Sequence, residues 1–191
     1  MQPLRAFVQR VTRAMAAAAE GDEDSLLPVV KSSMADLVSS DCWLPKEFAE
    51  PADGNYGQHL LYCDPLERFC VVSFVWPPNQ RTPIHDHTVW GVIGQLVGEE
   101  ESQAYTVAPS GELVAHGPPA VLRPGQICTV SPLEIDVHVV RNPSPAAKSI
   151  GIHAYGANIA RVQRHTYDLA TGAKSTFISS YSNSVLPNIW N

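Results

Sequence analysis

The stretch Thr82–Gly94, TPIHDHTVWGVIG, decides how this chain is read. It is rich in β-formers, and His85 and His87 stand one residue apart. Successive side chains of a strand point to opposite faces, so His85 and His87 share one face and Asp86 points away. Two imidazoles one strand period apart can grip one metal ion. A His-x-His pair also arises by chance on strand surfaces, so the rest of the chain has to decide between the two.

The chain has 191 residues, 45% hydrophobic and 17% charged, which suits one globular domain with a real core. A net charge of −6 argues against a nucleic-acid partner. No apolar run approaches the ~18 residues of a membrane span. Arg5, Arg10 and Arg13 interrupt the apolar N-terminus, which speaks against a secretory signal, and Glu20, Asp22, Glu23 and Asp24 speak against a transit peptide. Cys42, Cys63, Cys70 and Cys128 form no Cys-x-x-Cys pair, so neither a disulfide framework nor a zinc-cysteine site is expected. The expectation is reduced thiols in a cytoplasmic protein.

Residues 1–50 read as helical. Leu4, Val8, Val11 and Met15 recur at helical spacing, and Ala16–Ala19 favour helix. Gly21 interrupts, Ser25 is a candidate cap for a second helix, and Pro28 suits its first turn. From Tyr56 the texture changes to short strand-like runs: His59–Cys63, Phe69–Trp76, Trp90–Leu96, Gln103–Val107, Gln126–Val130, Val137–Val140 and Ser149–Ala154. Pro, Gly, Asn and Asp separate them, the pattern of a β-sandwich or barrel. The tail 179–191 is polar with aromatic ends and carries no pattern that assigns it to an element.

His138 lies in DVHVVRN, on another strand-like run, with Pro124-Gly125 before it and Asn142 after it. PIHDH followed by PG…H…N resembles the two metal motifs of the cupin superfamily. That resemblance implies a double-stranded β-helix (jelly-roll) barrel over about residues 56–168, in a single domain spanning 1–191. It also implies His138 as the third metal ligand beside His85 and His87. The acidic fourth ligand usual in that pattern is missing, because Gly91 stands four residues after His87. Three neutral imidazoles suit Fe, Zn, Cu or Ni and leave coordination positions open. Exchanging a carboxylate for a histidine also raises the charge of the site by one, which an anionic ligand such as a thiolate offsets.

Within the cupins, HDHT together with SIGIHAYG resembles the thiol dioxygenases of the cysteine dioxygenase type. The resemblance implies Fe(II) as cofactor, with His153 and Tyr155 as the histidine and tyrosine beside the metal. On a strand those two share a face. Two departures separate the chain from the mammalian-type enzymes. Gly91 stands where they carry a cysteine crosslinked to the tyrosine, and Gln58, two after Tyr56, stands where they carry a carboxylate-binding arginine. Both features are similar to the bacterial Gln-type branch, which resembles 3-mercaptopropionate dioxygenase. In that branch a later arginine serves the carboxylate, which implies Arg164, with Arg161 as the neighbouring alternative. A third departure is Gly151, where the family has a serine that joins the histidine and tyrosine in a relay. Ser149 lies one strand period too far back to replace it.

The resemblance therefore implies an oxidoreductase that adds both atoms of O₂ to the sulfur of a small mercapto-carboxylic acid, with 3-mercaptopropionate favoured. L-cysteine and mercaptosuccinate are alternatives, as is a non-catalytic metal-binding cupin that senses a small acid. His59, His116 and His165 have no motif support and read as structural or surface residues. Trp76 and Trp90 read as barrel core or pocket wall.

Overall fold

The interior of the molecule is organised by the period of two along its strands. The computed structural model describes residues 1–19, 21–52 and 55–190. Strands β1 (Gly57–Cys63), β2 (Cys70–Trp76), β4 (Gly91–Val97), β7 (Ile127–Val130) and β9 (Ser149–Tyr155) form an antiparallel sheet in the order β1-β2-β9-β4-β7. Strands β3 (Ile84–His85), β5 (Glu100–Val107), β6 (Leu113–Leu122), β8 (His138–Arg141), β10 (Arg164–Tyr167) and β11 (Lys174–Phe177) form a second, in the order β11-β10-β3-β8-β5-β6. The chain is thus mainly β, two antiparallel sheets with helices at the N-terminus, as the sequence leads one to expect.

Every residue of β2 and β9 is buried, because both faces of the first sheet are covered. Ile150, Ile152 and Ala154 of β9 join Val71, Val75, Val92 and Leu96 in the core beneath helices α1 (Gln2–Ala17) and α2 (Glu23–Leu37). The alternate residues Gly151, His153 and Tyr155 face the barrel interior, opposite Phe74, Val72 and Cys70 of β2. The helices contribute Leu4, Phe7, Val8, Val11, Leu26, Val30 and Met34. Gly94 permits this contact: a Cβ there would lie 2.7 Å from both Met34 and Val38 side chains. None of the described helices is long and apolar enough to cross a membrane.

The structure corrects the helical reading in two places. The cap of α2 is Asp22, whose carboxylate accepts from the Ser25 N–H, so Ser25 is already inside the helix. Pro28 consequently falls in the second turn and not the first. After Leu37 the chain is mostly turn, with a short 3₁₀ helix at Lys46–Phe48. The C-terminal tail lies along the free edge of β1: Ser182 and Asn183 bond the backbone of Gln58 and Leu60. This covers a row of backbone groups that would otherwise be open to pairing with another chain.

Candidate metal centre

His85 on β3 pairs directly with His138 on β8. His87 follows just beyond the end of β3 and turns to the same side. The three imidazole centroids form a nearly equilateral triangle, with separations of 5.0, 4.9 and 4.9 Å. One ligand nitrogen of each lies within 4.8 Å of the others.

Each histidine is oriented through its Nδ1. That of His85 meets the Pro83 carbonyl at 3.0 Å, that of His87 the Asp136 carboxylate at 2.9 Å, and that of His138 the Ser102 hydroxyl at 2.9 Å. With Nδ1 occupied on all three rings, Nε2 is the nitrogen left for a ligand. The Nε2 of His138 is buried with no partner among the described residues, a costly state that a metal ion relieves. Burial, aided by the neighbouring His87, pushes the His85 pKa down to about 3. Burial also holds His138 well below its ordinary value, with His85 and His87 adding to the effect. These two rings are therefore neutral, the form that binds metal. The donor set fits a transition-metal ion.

Asp136 does more than hold one ring. Its carboxylate also accepts the backbone N–H groups of His87 and Thr88. Thr88 has φ of +58°, an uncommon conformation for a β-branched residue. The Asp136 bonds and the Thr88 hydroxyl on the His87 carbonyl hold that turn. Burial alone would raise the Asp136 carboxyl, but the hydrogen bonds from His87 and Thr88 leave it below its ordinary value. Asp86 points away from the triad, as the strand period requires. It is buried and accepts from the His165 N–H, the His165 ring and the Tyr167 hydroxyl. The middle residue of His-Asp-His thereby anchors β10, the strand that begins with Arg164.

The triad lines a cavity of about 270 Å³. Its apolar walls include Phe74, Trp76, Ile93, Val140 and Phe177, and its polar groups include Gln58, His153, Tyr155 and Arg164. The structure thus brings the sequence-predicted residues Gln58, His85, His87, His138, His153, Tyr155 and Arg164 to one cavity. The His153 Nδ1 lies 3.0 Å from the Tyr155 hydroxyl. Burial raises the Tyr155 pKa, so Tyr155 stays a protonated phenol. Arg161 is instead exposed and paired with Glu67 at 3.3 Å.

Arg164 is 5% exposed. Ion pairs of the described residues use Arg10, Arg68, Arg123, Arg141 and Arg161, but not Arg164. Among the described residues its Nε has no hydrogen-bond partner; its Nη2 donates to the Ser179 hydroxyl, and its guanidinium lies 4.5 Å from the Phe177 ring centroid. Ser179 also accepts from the Gln58 amide at 3.1 Å. Sequence reasoning missed Ser179, Asp136 and Ser102, because none belongs to a pattern around the ligands. His59 bonds the Glu50 carbonyl and His116 is exposed, so both lie outside the site, as does His165 on Asp86. Trp76 is pocket wall, and Trp90 packs in the core beneath the helices.

No protein-family model matches the chain. Among solved structures, a conserved protein with a double-stranded β-helix domain from Klebsiella pneumoniae is 17% identical, over 71% of this chain and 93% of its own, with a TM-score of 0.46. A cupin 2 conserved barrel domain protein from Salinispora arenicola is 17% identical, over 60% of this chain and 86% of its own, with a TM-score of 0.43. Oxalate oxidase, solved with the substrate analogue glycolate, is 14% identical, over 62% of this chain and 61% of its own, with a TM-score of 0.44. The chain itself is a β-barrel of two antiparallel sheets with helices at the N-terminus.

Proposed function

We propose that this chain is a non-haem Fe(II) thiol dioxygenase that oxidises a small mercapto-carboxylic acid, 3-mercaptopropionate foremost, to its sulfinic acid. One observation carries the reading: a buried guanidinium with no carboxylate partner among the described residues shares a small cavity with three imidazoles that converge through Nε2. A buried cation is costly unless paired, so the cavity calls for an anion at Arg164 and a metal ligand at the histidines. A short molecule with a carboxylate at one end and a thiol at the other satisfies both. The resemblance of HDHT, His153 and Tyr155 to the thiol dioxygenases points the same way.

Fe(II) held by His85, His87 and His138 would supply open positions where the thiolate and O₂ meet, both oxygen atoms ending on the sulfur. The protein's part is placement. Arg164 receives the carboxylate, and Ser179 and Gln58 fix the guanidinium's position. The apolar walls limit water. Tyr155, backed by His153, offers a phenol beside the triad. Tying the substrate at both ends sets its reacting geometry, a large source of rate in general. On this reading the partners are a small thiol acid and O₂.

The test is O₂ uptake by iron-loaded protein with 3-mercaptopropionate, L-cysteine and mercaptosuccinate, with product mass read for two added oxygen atoms. If no thiol consumes O₂ while His85→Ala still abolishes metal binding, the dioxygenase reading fails and the metal site stands.

A further inference from the structure

We infer that Glu100 completes a buried carboxylate–imidazole–phenol chain, Glu100–His153–Tyr155, and acts as a positioning residue that keeps a proton on Nε2 of His153. The Glu100 and His153 side chains are 2% and 6% exposed, and Oε2 of one lies 3.7 Å from Nε2 of the other. Both atoms are buried and neither has a hydrogen-bond partner among the described residues. Two complementary polar atoms so placed form a hydrogen bond after a shift of about 0.5–1 Å. On its other side His153 meets the Tyr155 hydroxyl at 3.0 Å.

Two further observations give the pair its place. Glu100 and Ser102 are one period apart on β5 and therefore point to the same side. Ser102 orients His138 as Glu100 faces His153, so one strand addresses two cavity histidines. Gly151 keeps the approach open: a Cβ there would lie 2.7 Å from His153 Nε2 and 3.3 Å from Glu100 Oε2. Glycine at 151 is therefore not merely a lost serine, since the acceptor for His153 comes from another strand.

An ionised carboxylate only accepts, so it requires an N–H at Nε2. A neutral His153 then offers a bare Nδ1 to the Tyr155 O–H, and the phenol oxygen meets the cavity as an acceptor. A charged His153 donates from Nδ1 instead and turns the Tyr155 proton toward the cavity. In both cases Nε2 keeps its proton toward Glu100, and the state of Nδ1 decides whether Tyr155 presents its oxygen or its proton to the cavity.

The inference rests on the proposed site only for what Tyr155 does there, and its test needs neither iron nor thiol. Imidazole ¹⁵N spectra are recorded on metal-free wild type, Glu100→Met, which keeps the volume without the acceptor, and Glu100→Ala. The expected result is a protonated-type Nε2 signal for His153 in the wild type that is lost or averaged in both variants. An unprotonated-type Nε2 in the wild type overturns the inference, and so does an unchanged His153 spectrum in either variant. Should one variant fail to fold, the other decides, and an unprotonated-type Nε2 in the wild type overturns the inference in either event. On iron-loaded protein Glu100→Met is expected to lower kcat about 10²-fold with KM little changed. Failure of every thiol to react sinks the dioxygenase reading without moving the His153 signal.

Discussion

Gly91 and Tyr155 are paired across β4 and β9, and a Cβ on Gly91 would lie 3.1 Å from two carbons of the Tyr155 ring and 2.8 Å from the Val130 side chain. The missing side chain at 91 thus matters for packing as well as chemistry. Tyr155 occupies the space, stacked on His87 with ring centroids 5.6 Å apart. Gly91→Ala is expected to destabilise the protein by about 1–3 kcal/mol, the usual cost of overpacking. It should also displace the tyrosine. Urea denaturation and the near-ultraviolet tyrosine signal check this, and a wild-type midpoint would mean that the ring moves freely.

Asp136 holds His87 by its ring and its backbone N–H, and also accepts the Thr88 N–H. Partners of this kind orient a metal ligand, and their loss generally weakens metal binding about 10–100-fold. Asp136→Ala should fall in that range with the fold retained. Competition against a chelator of known affinity measures it. Unchanged affinity would show that His87 orients itself.

The contrast between His87 and Asp136 shows what sequence could and could not disclose. His85, His87, His153 and Tyr155 were legible because each pair obeys the strand period within one short segment. Their meeting with His138 follows from β3–β8 pairing, which only the matched motif order hinted at. Asp136, Ser102, Glu100 and Ser179 act across distant segments. No local pattern marks a polar residue that will face a histidine after folding. Strand β6 carries no strand pattern for another reason: LVAHGPPAVL is mostly exposed and holds Pro118 and Pro119, which a sheet tolerates only at an edge such as this one. Strands β10 and β11 are four residues each and largely polar, too short for a periodicity to show.

Arg164 is buried beside Phe177 with Ser179 as its hydrogen-bond partner. Removing it should separate stability from binding. Arg164→Met deletes a buried, uncompensated charge, so the ligand-free protein is expected to gain about 1–4 kcal/mol of stability. Binding of the proposed mercapto-acid should weaken by about 2–5 kcal/mol, read as a rise in KM or in directly measured Kd. Ser179→Ala should cost less, about 0.5–1.5 kcal/mol of binding. A less stable Arg164→Met, or one with unaltered affinity, would assign the guanidinium a purely structural role.

The turn between β1 and β2 gives a pH dependence remote from the metal centre. Asp64 is buried and takes a bidentate contact from Arg68, with bonds of 2.8 Å to Nε and to Nη2. It also accepts the N–H groups of Leu66 and Arg68. The Arg68 bonds, only partly opposed by burial, hold the Asp64 carboxyl below its ordinary value, and the backbone N–H bonds add to this. A carboxyl depressed by folding stabilises the native state above its unfolded value of about 3.9, and that contribution is lost as pH falls through the lower folded value. Asp64→Asn should therefore destabilise the protein by about 1.5–3 kcal/mol near neutrality, the scale of hydrogen bonds to charged groups. The deficit should shrink below about pH 3.9 as the wild type loses its advantage. Urea midpoints of both proteins across this range test the sign. A deficit that stays constant would mean that shape, and not charge, holds the turn.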